Sequence, residues 1–118
     1  MNLAVVIGRL GCDPERRNTK SGADVCSLRV ATDFTPKGGE ARTEWHDIVV
    51  WGDSARACAE HLSSGRMVAV QGRLQTRSWD DAQGQKKWRT EIVAHRVDFL
   101  PGGGKPTGEG GARAPLPF

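Results

Sequence analysis

Residues 43–52 read Thr-Glu-Trp-His-Asp-Ile-Val-Val-Trp-Gly. Rich in β-branched and aromatic side chains and closed by a glycine, they predict a β-strand. Successive side chains on a strand point to opposite faces. Trp45, Asp47, Val49 and Trp51 therefore share one face, and His46, Ile48 and Val50 share the other. If Ile48 and Val50 face a core, both indoles stand outside it, on the side that a half-buried strand ordinarily makes polar. A chain built around this strand needs a sheet that buries one face and leaves aromatic rings on the other.

The neighbouring segments supply such a sheet. Residues 3–10 are an apolar run broken by Gly8 and predict a first strand. In residues 25–34, Cys26, Leu28, Val30 and Thr32 alternate with Ser27, Arg29, Ala31 and Asp33, which predicts a second, half-buried strand. Between them, residues 11–24 carry the breakers Asp13-Pro14 and Ser21-Gly22 and read as turns. The opening stretch is the third strand. Residues 52–65 follow, with Ala55, Cys58, Ala59 and Leu62 at helical spacing, Asp53 or Ser54 expected as N-cap and Gly65 as terminator. Residues 66–79 and 86–100 predict a fourth and a fifth strand joined through a turn at Gly84. The first and fourth strands echo one another, Val-Val-Ile-Gly-Arg-Leu against Val-Ala-Val-Gln-Gly-Arg-Leu. A glycine inside a strand marks a bulge or a tight bend, as small closed barrels require.

The order is three strands, one helix, two strands: an all-β fold with one short helix, arranged as the five-stranded OB-fold barrel β-β-β-α-β-β. The barrel is expected over residues 1–100. From residue 101 the chain is dominated by Gly and Pro, and 101–118 is expected to be a disordered tail. At 118 residues a single domain can bury a core without metal or disulfide support. Cys12, Cys26 and Cys58, odd in number and widely spaced, fit neither a disulfide framework nor a metal knuckle and are expected to be small buried thiols. No stretch resembles a membrane span or a signal peptide, so a cytoplasmic location is the default. The net charge of +3 suits a polyanionic partner without requiring one.

An OB-fold binds oligonucleotides or oligosaccharides on the face of its second and third strands. Trp45 and Trp51 fall on that face. Trp79 ends the fourth strand beside Arg77, and Phe34 ends the second. Arg9, Arg29, Arg73, Arg77, Lys86, Lys87 and Arg89 are distributed among the strands. Aromatic platforms interleaved with cations match single-stranded nucleic acid, in which every base offers a π-face and every phosphate a charge. Trp88 shares the parity of Ile92, so packing in the core or at an interface is expected there instead.

Over residues 2–100 the chain resembles bacterial single-stranded DNA-binding proteins, through Val-Ile-Gly-Arg-Leu-Gly-Cys-Asp-Pro-Glu, Thr-Glu-Trp-His-Asp-Ile-Val-Val-Trp-Gly and Gly-Arg-Leu-Gln-Thr-Arg-Ser-Trp-Asp-Asp with the following Gly-Gln-Lys-Lys-Trp-Arg-Thr-Glu-Ile-Val. The resemblance implies that Trp45, Trp51 and Trp79 hold positions of base-stacking aromatics and that Phe34 lies close to a fourth. It also implies a homotetramer, with the inward His46 at a subunit contact, and roles in DNA replication, recombination and repair. Asp47, Asp53 and Ser64 stand where family members often carry Lys or Arg, and Lys86 and Lys87 are candidates to compensate. Family tails usually end in several acids before a Pro-Phe tip that recruits replication and repair enzymes. Here Pro117-Phe118 is kept, but Arg113 replaces the acids and Glu109 is the tail's one carboxylate side chain. Docking of such partners on this tail is not implied, and the departure suits a specialised paralogue.

His46, His61 and His95 show no metal spacing and no neighbouring nucleophile, so neither catalysis nor a metal or cofactor is expected. The competing reading is another OB-fold binding module, a replication-restart accessory or an RNA binder. Stacking does not tell ribose from deoxyribose, which takes a contact to the 2′-hydroxyl.

Overall fold

A computed structural model describes residues 1–101. The tail expected over 101–118 lies, Pro101 apart, outside the described residues. Six strands and one helix follow in order: β1 Ala4–Leu10, β2 Glu15–Asn18, β3 Asp24–Phe34, β4 Arg42–Trp51, α1 Asp53–His61, β5 Met67–Asp80 and β6 Lys86–Leu100. The five strands and the helix expected from periodicity are present. β2 is the addition.

The sheet runs β1-β5-β6-β4-β3-β2 and closes on itself where β1 also pairs with β3, at Arg9↔Ala31 and Leu10↔Val30. Five strands thus form a closed barrel with the OB-fold order. β4 and β6 are parallel at Ile48↔Ile92 and Val49↔Val93; the other pairings are antiparallel. β3 serves three neighbours, β4 along one edge and, along the other, β2 at its start and β1 further on. The segment read as turns therefore holds a strand. Its four residues, Glu-Arg-Arg-Asn, are all exposed, so no hydrophobic alternation could mark them.

Inside the barrel the expected face is buried: Cys26, Leu28, Val30, Ile48, Val50, Val68, Val70 and Ile92 pack with Leu10. Burying one such aliphatic side chain is worth about 1.5–3 kcal/mol. α1 packs on β2, β3 and β4 and turns Ala55 and Cys58 inward, with Leu62 just beyond its end. Neither expected cap holds. The N-cap is Gly52, at φ +70°, with no side-chain cap hydrogen bond, and Asp53 instead pairs with Arg56. The helix stops at His61 because Leu62 turns extended, its N–H bonding Cys58 O at 3.0 Å; Gly65 serves the next turn, donating to Leu10 O at 2.9 Å.

The echo between β1 and β5 has a shared physical cause, close approach of a neighbouring strand. A methyl group at Gly8 would lie 2.9 Å from Val30 Cγ1, and one at Gly72 would lie 2.9 Å from Ala94 Cα. At Gly72 the ladder also shifts register, the expected bulge. Asp24 ties β2 and the helix to β3: it accepts from Arg16 Nη2 at 3.0 Å and Asn18 Nδ2 at 2.9 Å, and Arg56 Nη1 lies 3.4 Å away. The hydrogen bond from Arg16, ahead of the other contacts, holds its carboxyl below the usual carboxylate range.

Cys26 and Cys58 are buried as expected, but Cys12 is exposed, because it lies in the turn after β1 rather than on a strand face. Trp88 is 66% exposed, so it is no core residue. It pairs with Ser78 on the β5–β6 hairpin beyond the end of the barrel, where the parity that points inward at Ile92 no longer faces the core.

Candidate nucleic-acid interface

The outer face of β3 and β4 carries the anomaly of the opening stretch. Trp45 and Trp51 are 49% and 47% exposed, on the side opposite buried Ile48 and Val50. The ladder sets Ala31 beside Trp45, Arg29 beside Asp47, Ser27 beside Val49 and Val25 beside Trp51. On β5, Trp79 is 42% exposed and pairs with Lys87, while Arg77 pairs with Arg89, Gln75 with Glu91 and Arg73 with Val93. Because Val93 is the register partner of Val49, these β5 and β6 residues continue the face of the two tryptophans.

Cations stand directly at two of the rings. Arg29 Cζ lies 4.9 Å from the Trp45 ring centroid and Arg77 Cζ lies 5.4 Å from that of Trp79, within the range of a cation–π interaction. Arg9 shares the face through its pairing with Ala31. Arg73 is exposed and donates to Gln75 at 3.2 Å. Two of the expected phosphate contacts are already engaged: Arg89 Nη2 lies 3.0 Å from Asp47 Oδ2, and Arg77 Nε lies 2.9 Å from Glu91 Oε1. Lys86 and Lys87 occupy opposite faces of the hairpin, so only Lys87, the partner of Trp79, shares the tryptophan face; its Nζ is 4.0 Å from Asp81.

Phe34 is 50% exposed but has the parity of the core residues, opposite Arg42 at the far end of the β3–β4 ribbon. The structure does not bring it onto the row of the tryptophans. His46 is half-buried on the inner parity and shares a hydrogen bond of 2.8 Å with Thr32 Oγ1.

Three residues escape the sequence reading. A groove of about 450 Å³ beside Trp51 is lined by Arg17 and Lys20 on one side and by Gln75, Arg77 and Glu91 on the other. Arg17 and Lys20 belong to the β2 turn, which gave no periodic signal. Glu91 has the outer parity that ordinarily leaves a charged side chain in water, yet it is only 6% exposed. Among the described residues no group of His, Cys, Asp and Glu is placed to hold a metal ion. No helix among them is long and apolar enough to cross a membrane.

A half-exposed indole beside a guanidinium can stack a flat ring and neutralise an anion next to it, a combination suited to an unpaired nucleotide. Comparison with known proteins agrees with that chemistry. The chain is 48% identical over 115 residues to "Single-stranded DNA-binding protein 1" of Chlorobaculum tepidum, covering 93% of this chain and 70% of that protein. It is 41% identical over 102 residues to the single-stranded DNA-binding protein of Caldanaerobacter subterraneus subsp. tengcongensis, covering 85% and 68%. Among solved structures, a Plasmodium falciparum SSB complex with ssDNA superposes with a TM-score of 0.77 at 33% identity, covering 85% of this chain and 95% of that one. Residues 1–100, the whole barrel, match the single-strand binding protein family, and the chain belongs to that family.

Proposed function

We propose that this chain binds single-stranded DNA without reading its sequence and protects it during replication, recombination and repair. The observation that carries the reading is one face holding Trp45, Trp51 and Trp79, each about half exposed, two of them under arginines. Bases stack on the indoles, and stacking is sequence-tolerant because every base has a π-face. Arg9, Arg29 and Arg73 are the cations of this face left for phosphate, Lys87 is held only by the 4.0 Å contact to Asp81, and Arg17 and Lys20 join them at the rim of the groove. The function is binding, without catalysis, and its place is the cytoplasm.

The assembly we propose is a homotetramer. Supporting it, the outer side of β1 is apolar and open: Val5 is 60% exposed, and with Ile7, Ala69 and Leu100 it lines a shallow groove of about 400 Å³. His46 and the exposed Trp88 are the further candidates for subunit contacts.

Titration with poly-dT, read by intrinsic tryptophan fluorescence, tests the proposal. The expected result is saturable quenching that weakens with salt. Absence of quenching, or equal affinity for duplex DNA, would overturn it, and tighter binding of a matched RNA oligomer would transfer the function to RNA. Light scattering that finds a stable monomer at micromolar concentration would remove the tetramer.

A further inference from the structure

Glu91 is the one buried charged residue among those described, and it sits on the binding face rather than in the core. Burying a carboxylate is expensive, and even a paired one is commonly no more stable than an apolar side chain of similar volume. The next outward residue on β6, Val93, shows that an apolar side chain fits this row. Glu91 accepts from Arg77 Nε at 2.9 Å. That is the guanidinium's one hydrogen bond among the described residues, so both terminal NH2 groups stay available to a ligand. The same guanidinium lies 5.4 Å from the Trp79 ring and borders the groove beside Trp51. A carboxylate thus holds, by its inner nitrogen, an arginine that touches one aromatic platform and faces the next.

We infer that Glu91 is a positioning residue for single-strand binding: it fixes the Arg77 guanidinium between Trp79 and the Trp51 groove and cancels its charge, so that Arg77 offers a stacking plane and N–H donors to bases instead of neutralising a phosphate. The inference rests on the single-strand binding proposed above. A planar guanidinium held at one end is pre-organised, and less conformational freedom is lost when a base arrives. Electrically the pair is neutral, so it releases no counterion on binding.

The experiment measures affinity for an oligo-dT across a series of salt concentrations, together with the tryptophan quenching at saturation, for the full chain and two variants. Glu91→Gln keeps the shape and can still accept from Nε, but it uncovers the Arg77 charge. The expected outcome is a log-log salt slope steeper by about 0.7 and reduced quenching at saturation. Arg77→Lys keeps the charge and loses the plane. Its expected slope equals that of the unmodified chain, with reduced quenching and affinity about five- to tenfold lower. In a Trp79→Phe background, Glu91→Gln should no longer change the quenching, since Trp79 is the ring being braced. A purely structural Glu91 would lower the melting temperature and leave slope and quenching alone, and that result overturns the inference. If Glu91→Gln does not fold, an Arg77→Lys variant that matches the unmodified chain in slope, quenching and affinity overturns it equally. Failure of the unmodified chain to quench would instead sink the parent reading of single-strand binding.

Discussion

Gly11 lies against the ring of Trp45: a methyl group at this glycine would come within 2.7 Å of Trp45 Cη2 and closer still to Cζ3. Gly11 N–H also bonds Arg29 O at 2.9 Å, so the backbone of the β1–β2 turn is pinned to β3 where the indole rests. The same ring meets the guanidinium of Arg29, the β3 residue to which Gly11 is hydrogen-bonded. The position of this platform is therefore set by a residue with no side chain.

Gly11→Ala should displace the Trp45 ring without disturbing the core. The expected loss of single-strand affinity is about 1–3 kcal/mol, the value of one stacked base, with an unchanged melting temperature. A melting temperature that falls while affinity holds would show that the glycine serves the turn alone.

Trp45→Ala, Trp51→Ala and Trp79→Ala should each weaken binding by about 1–3 kcal/mol and leave folding intact, because each ring is about half exposed. Trp88→Ala should cost far less than the roughly 3–5 kcal/mol of a core tryptophan. Paired urea melts and DNA titrations separate the two effects for every variant.

Lys87 and Lys86 face opposite ways on one hairpin, and only Lys87 flanks Trp79. Lys87→Ala is expected to lower the magnitude of the log-log salt slope by about 0.7, whereas Lys86→Ala leaves it unchanged. Equal effects of the two would mean that the DNA path wraps both faces of the hairpin.

Burial, with the nearby Cys26 adding to it, pushes the Cys58 thiol up to about 12 from an ordinary 9.0. Burial also raises Cys26. Below pH 9 the thiol is protonated in both folded and unfolded chains and stability owes it no pH dependence. Above pH 9 the unfolded chain releases the proton and the folded chain keeps it, so stability falls by about 1.4 kcal/mol per pH unit from Cys58. Urea melts at pH 8, 9.5 and 10.5 should show this decline, and Cys58→Ala should flatten it while lowering stability throughout. In the native protein at pH 8, thiol labelling should find Cys12 alone reactive.

What the sequence determined by itself is what repeats at short range. The period of two in residues 25–34 and 43–52 set the core face and put Trp45 and Trp51 outside it, and the helical spacing of Ala55, Cys58 and Leu62 marked α1, since the directions of neighbouring side chains follow from local backbone geometry. Tertiary structure decided whatever depends on partners distant in the chain. Arg89 reaches Asp47 across 42 positions, so which cations stay open to phosphate was not legible along the chain. Parity at Trp88 and Phe34 was readable, but the barrel ends before the hairpin and the ribbon do, and a face buried at Ile92 is open at Trp88. β2 exists because β3 offers it an edge, and Glu91 is buried where it pairs with Arg77 of the neighbouring strand. Each of these outcomes is a matter of which strands meet, and that is fixed only when the barrel closes.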